Sequence, residues 1–209
     1  MLKLDLKFPG EKVIPLLMKP TDITLLEHLA RYYFSTPYVH GRTLDIACGS
    51  GYGTHLIAKE CKRQISEIVG VDCDDPSIRY AKKTYYHPLS SFKLCDALDP
   101  NLPDQLGLFD TILSFETIEH VTDDFMFMDN LYRMLSPGGT LVLSTPFGRG
   151  RGEPCHYPFH VQQLAESEFI DLFERFAEIE KYYQRKVTIE SMKREGLEYP
   201  IGIAVCRKA

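Results

Sequence analysis

Residues 44–54 read Leu-Asp-Ile-Ala-Cys-Gly-Ser-Gly-Tyr-Gly-Thr. A short apolar run closes on Asp45. Glycines follow at 49, 51 and 53, and a helical pattern starts at once. Glycine accepts positive φ and lets backbone come close to a ligand. A strand, a glycine turn and a helix N-terminus in succession cradle a nucleotide-like cofactor at the edge of an open α/β sheet. The spacing matches neither dinucleotide G-x-G-x-x-G nor a P-loop, since no Gly-Lys-Ser/Thr follows. An NAD-type cofactor would need the first of these.

The rest of the chain alternates in the way such a sheet requires. Strands are expected over 43–47, 67–71, 92–95, 109–115 and 140–144. Helices are expected over 52–60, from Pro76 to about 84, and from Asp123 or Asp124 to 135, where Pro137-Gly138-Gly139 turns the chain. A loop over 146–160 leads to a helix over 165–173. Strands over 177–184 and 201–207 read as an antiparallel pair, and 185–200 as a surface hairpin or loop. The pattern predicts one α/β domain over 1–209. Its sheet is Rossmann-like and doubly wound, with seven strands, mainly parallel, and an antiparallel C-terminal strand. Residues 1–40 form an N-terminal cap segment and helix. Thr21-Asp22 caps that helix, which runs to about Phe34 with Ile23, Leu26, Leu29, Ala30 and Tyr33 as its apolar stripe.

Composition narrows the partners. A net charge of −5 gives no general pull toward nucleic acid or anionic membrane. No apolar run reaches spanning length, and the N-terminus lacks a signal-peptide core. The six cysteines, at 48, 61, 73, 95, 155 and 206, form no Cys-x-x-Cys pair. A thiolate zinc site is therefore not expected, and free thiols in a cytoplasmic protein are. Oligomeric state is left open.

Three acids fall at the ends of the first three strands: Asp45, Asp72 and Asp96. A carboxylate at the second strand end suits two ribose hydroxyls, and Asp96 suits an adenine amino group. With the glycines, this resembles the class I S-adenosylmethionine (SAM) methyltransferases, whose first motif receives the aminocarboxypropyl end of SAM. The likeness runs over residues 40–184. It includes Phe-Asp-Thr-Ile-Leu-Ser-Phe-Glu at 109–116 and the helix, turn and strand of 131–146. It implies SAM contacts at Asp45, Ala47, Gly49, Ser50, Gly51, Asp72, Cys73, Asp96, Ala97 and Phe115. The pieces at 10–12 and 27–32 further resemble bacterial methyltransferases of glycan biosynthesis, which places Glu11, His28 and Arg31 near the methionine end.

Glu116, Glu119 and His120 stand at i, i+3 and i+4 after the fourth strand, on one face of any helical turn. His160 returns from the 146–159 loop. Two carboxylates and two imidazoles suit a divalent ion, Mg²⁺ or Mn²⁺. The constellation resembles metal-dependent O-methyltransferases of the ubiquinone-biosynthesis and small-RNA 2′-O types, where Glu-x-x-Glu-His binds the ion. In the small-RNA group a distal His stands nine residues before a Phe, as His160 stands before Phe169. The resemblance implies Glu116, Glu119, His120 and His160 as ligands, with Glu116, His120 and His160 as catalytic candidates. A metal-free site, with His120 or His160 as general base, is the other reading. Arg149 and Arg151 suit a phosphate or carboxylate on the substrate. The expected acceptor is a small hydroxylated molecule, a sugar or glycan precursor or a catechol-like ring. RNA 2′-O-methylation and a non-catalytic SAM-binding partner subunit are the alternatives.

Overall fold

The computed structural model describes residues 12–155 and 157–209. Asp22 starts helix α1 (Ile23–Ser35), its Oδ1 accepting from the backbone N–H of Thr24 and of Leu25. These are donors that a helix start leaves without an intrahelical partner. Strands and helices then alternate: β1 (Gly41–Ile46), α2 (Tyr52–Glu60), β2 (Ile65–Asp72), α3 (Asp75–Thr84) and β3 (Ser90–Leu94). There follow α4 (Leu102–Leu106), β4 (Phe109–Phe115), α5 (Asp124–Met134), β5 (Leu135–Pro146) and α6 (Glu166–Asp171). The chain closes with β6 (Glu178–Arg185), β7 (Thr188–Glu190) and β8 (Ile201–Arg207). Asp74 and Asp123 cap α3 and α5 as Asp22 caps α1.

All eight strands lie in one sheet, in the order β3-β2-β1-β4-β5-β8-β6-β7. β1 to β5 pair in parallel, and β8, β6 and β7 are each antiparallel to their neighbours. The mainly parallel α/β sheet is as expected, with one strand more than seven. The addition is β7, Thr-Ile-Glu, which folds back on β6 through Lys186 and Val187. Lys186 takes the left-handed conformation, with φ of 55°. Three residues are too few to display an alternation. β5 also starts at Leu135, earlier than expected. Its register jumps from Phe109 opposite Leu135 to Thr111 opposite Thr140, so Pro137-Gly138-Gly139 is a bulge inside the strand.

The sheet is covered on both faces. On one, Leu44, Ile46 and Ile112 meet Phe127 and Leu131 of α5 and Phe169 of α6. On the other, Ile68, Leu113 and Val142 meet Tyr32 of α1 and Ile57 of α2. Strands buried on both faces read as continuous apolar runs, which is why β1, β2, β4 and β5 are visible in the sequence, while β3 is a mostly exposed edge strand. Helix α1 departs from expectation: Leu25, Arg31, Tyr32 and Ser35 are buried, while Ile23 and Tyr33 are 47% and 53% exposed. Leu26, Leu29 and Ala30 of the expected stripe are half-buried, and Leu29 packs on the core, but the inward face also carries polar tips with partners inside. Among the described residues, no helix is long and apolar enough to cross a membrane.

The strand order reverses between β1 and β4, which opens a crevice at the C-terminal ends of β1, β2 and β4. Tyr32 floors the N-terminal side. Its ring meets Tyr52 and Phe115 edge-on, with centroids 5.6 and 4.9 Å away. A Cβ on Gly53 would stand 1.8 Å from the Tyr32 ring. Gly53 therefore serves space. We expect Gly53→Ala to cost about 1–3 kcal/mol in urea denaturation. Most of that cost should vanish in a Tyr32→Leu background; strict additivity of the two changes would contradict the packing account.

Candidate functional site

Past β1, Ala47, Gly49 and Gly51 all take positive φ, at 57°, 55° and 82°. Ala47 is thus a non-glycine in a conformation that costs roughly 1–2 kcal/mol. Such strain gathers at ligand sites, where the surroundings over-determine the backbone. Asp72 supplies part of that restraint. Its Oδ2 accepts from Gly49 N–H at 2.8 Å and its Oδ1 from Asp74 N–H at 2.9 Å. The two glycines differ in use. A Cβ on Gly49 would meet nothing within 4 Å and enter open space, whereas on Gly51 it would strike Ala81 and Phe92.

Asp45 lies beneath this loop, 1% exposed. It accepts from Thr54 Oγ1 at 2.6 Å and from the Tyr32 hydroxyl at 3.1 Å. Burial pushes its carboxyl up to about 7, and the two hydroxyl donors hold it from rising further.

Arg31 is 1% exposed at the same end of the crevice. Its Nη1 donates to a neutral amide, Gln184 Oε1, at 2.8 Å, and its Nε has no partner among the described residues. A buried guanidinium so poorly matched is costly unless an anion joins it. Its charge acts on Glu27, Tyr52 and Glu119. A buried cation with one nitrogen unpaired, near a glycine loop open to the crevice, fits the carboxylate end of SAM. Burial, then the Arg31 charge, holds His28 well below the usual imidazole range. Glu11 lies outside the described residues.

The remaining cofactor candidates divide. Cys73 and Asp96 are exposed at the strand ends, Asp96 Oδ1 accepting from Leu98 N–H at 2.9 Å. The Ala97 carbonyl accepts from Asn130 Nδ2. Two others face the protein: Ser50 donates to the Val13 carbonyl at 2.7 Å, and Phe115 packs on Tyr32.

Of the four residues expected to share an ion, the fold brings three together. Glu119, His120 and His160 offer ligand atoms that all lie within 4.8 Å of one another. Residues 118–120 form a 3-10 turn, which swings Glu119 inward to 1% exposure and leaves His120 at the rim. Glu116 is the exception. At φ of 50° it turns toward β5, where its Oε1 accepts from Ser144 Oγ at 2.8 Å. Thr145 Oγ1 donates to Glu119 Oε2 at 3.1 Å. Burial, then the Glu116 carboxylate, holds Glu119 well above the ordinary carboxylate range. His160 is delivered by backbone: Val161 and Gln162 N–H both donate to the Glu119 carbonyl. His120 Nδ1 donates to the Phe159 carbonyl at 2.8 Å, so its Nε2 keeps the lone pair. Arg151 is committed elsewhere, pairing with Asp124 at 2.6 Å, which leaves Arg149 exposed on the loop. Tyr32, Thr54 and Thr145 lie inside the stretches quoted above without being singled out, and Gln163 and Gln184 lie outside them. Pairing of buried polar groups is their only signal, and it requires the fold.

A family model described as a methyltransferase domain matches residues 44–143. The probable SAM-dependent methyltransferase of Mycolicibacterium smegmatis is 31% identical over 174 residues, 81% of this chain and 64% of that protein. A SAM-dependent methyltransferase structure from Archaeoglobus fulgidus superposes with a TM-score of 0.64 at 15% identity, covering 90% of this chain and 95% of that one. The chain belongs to the class I SAM-dependent methyltransferases. The ubiquinone biosynthesis O-methyltransferase of Chelativorans is also similar, 34% identical over 112 residues, 52% of this chain and 42% of that protein. The chain thus spans under two thirds of the length of these curated relatives.

The buried motif-one acid makes a pH prediction. The native state holds the Asp45 proton more tightly than an unfolded chain, whose Asp titrates near 3.8. Its contribution is therefore full below that value and is lost as pH rises through about 7. Melting curves should show stability declining over this window, and Asp45→Asn should flatten the decline. An equal slope in both proteins would contradict it.

Proposed function

We propose that this protein is a SAM-dependent O-methyltransferase of a small hydroxylated substrate, assisted by a divalent ion. The observation that carries it is the convergence of Glu119, His120 and His160 at the mouth of the glycine-loop crevice, with ligand atoms within 4.8 Å. Bound SAM supplies an electrophilic methyl group on a sulfonium sulfur. Gly49 and its neighbours admit the methionine portion, Arg31 takes its carboxylate, and Asp72 and Asp96 take the ribose and adenine. Glu119 is a buried acid beside a second acid, so a cation relieves both their repulsion and the cost of ionising Glu119. One carboxylate and two imidazoles favour Mn²⁺ over Mg²⁺. The ion would hold neighbouring hydroxyls and lower the pKa of one. His120 Nε2, if not a ligand, is the base that takes the proton.

Tyr157, Phe159 and Val161 ring this mouth with exposures of 53%, 49% and 55%. That rim suits a catechol-like ring better than a sugar. The named activity of the ubiquinone-biosynthesis relatives supports oxygen as the acceptor. The acidic net charge weighs against RNA.

Two measurements test the reading. S-adenosylhomocysteine should bind, and Arg31→Met should weaken it about 10–100-fold, as the loss of a charge-assisted contact predicts. Methylthioadenosine, which lacks the carboxylate, should bind both proteins alike. Separately, EDTA should abolish methyl transfer to a catechol and Mn²⁺ restore it, while Glu119→Gln weakens Mn²⁺ binding at least about 10-fold. Activity indifferent to EDTA would leave metal-free transfer with His120 as base.

A further inference from the structure

Each member of the cluster has one polar atom tied down from behind. Glu119 Oε2 is held by Thr145, His120 Nδ1 by the Phe159 carbonyl, and His160 Nδ1 by the Gln163 amide at 3.1 Å. The first two fix which atom remains for an ion. The third contact is different, because a primary amide can present either oxygen or nitrogen. With the amide nitrogen toward the ring, as Gln163 Nε2 stands here, His160 Nδ1 accepts and Nε2 carries the proton, so Nε2 has no lone pair for a metal. A half-turn of the amide puts the oxygen toward the ring; Nδ1 then carries the proton and Nε2 is a ligand or base. Gln163 is thus placed to decide what His160 is.

Its position is built in. A Cβ on Gly148 would stand 2.3 Å from Gln163 Cβ, so only glycine lets Gln163 lie where it does. The backbone on both sides is clamped: Gly150 N–H donates to the Gln163 carbonyl and Gly148 N–H to the Leu164 carbonyl. Tyr157 stacks on the His160 ring, with centroids 5.0 Å apart at 22°, and fixes its plane.

We infer that Gln163 is a positioning residue that sets the tautomer of His160, with Gly148 as its seat, and that it holds Nε2 as the lone-pair nitrogen when the cluster takes an ion. The inference rests on the proposed metal site, but its first test does not. Long-range ¹H–¹⁵N spectra of histidine-labelled protein at pH 8, metal-free and with Mg²⁺, report the tautomer, with His160→Gln assigning the signal. Gln163→Glu can only accept, so it should show Nδ1–H throughout. Gln163→Met should show a different tautomer balance from Gln163→Glu. Mn²⁺ affinity should fall about 10–100-fold in Gln163→Met and stay within about threefold of wild type in Gln163→Glu. Gly148→Ala, which pushes Gln163 aside, should reproduce the Gln163→Met result and serves if that variant does not fold. The same tautomer balance in Gln163→Glu and Gln163→Met overturns the inference, as does unchanged Mn²⁺ affinity in Gln163→Met when wild type binds the ion. If wild type binds no Mn²⁺, the proposed metal assistance fails, and the spectra alone decide whether Gln163 sets the tautomer.

Discussion

The buried carboxylate of Asp45 is the knot on which the crevice depends. It stands at the end of β1, accepts from Thr54 in α2 and from Tyr32 in α1, and so binds three elements at one point. An acid in that position is expensive to ionise, and its two hydroxyl donors are what make it tolerable. Tyr32 can reach it only because Gly53 has no side chain. The glycine pattern therefore does two jobs. Gly49 leaves open space for a ligand, while Gly51 and Gly53 leave room for neighbouring side chains. A sequence motif taken as a cofactor signature is, in part, a packing motif.

The opposite wall of the crevice is built by backbone. The Glu119 carbonyl receives two N–H groups from the returning loop, and the Phe159 carbonyl receives His120. Two segments far apart in sequence are thereby held by two main-chain bonds that need no particular side chain, and the His120 ring adds a third. This explains how a loop rich in glycine and proline can present His160 at a defined place.

What was legible in the chain follows the same division. The central parallel strands and the helices between them were readable because apolar runs and helix starts such as Pro76 and Asp123 depend on local sequence. The acids at strand ends were readable for the same reason. The inward face of α1 was not, since Arg31 and Tyr32 fall off the apolar stripe and only the fold shows that Gln184 and Asp45 receive them. Glu116 was placed in the metal group by an i, i+3, i+4 spacing that assumes an α-turn. The positive φ at Glu116 and the tighter 3-10 turn after it break that geometry. Strand β7 was too short to carry a period.

Gln184 gives the fold a further property. Its amide oxygen accepts from Arg31, and its nitrogen donates to the carbonyls of Glu27 in α1 and Lys186 in the β6–β7 turn. One side chain near the end of the chain thus fastens the helix near its beginning. Swinging α1 outward would strand a buried amide and a buried guanidinium at the same moment. The helix and the terminal hairpin are therefore a single clasp, and neither can leave its place without loosening the other.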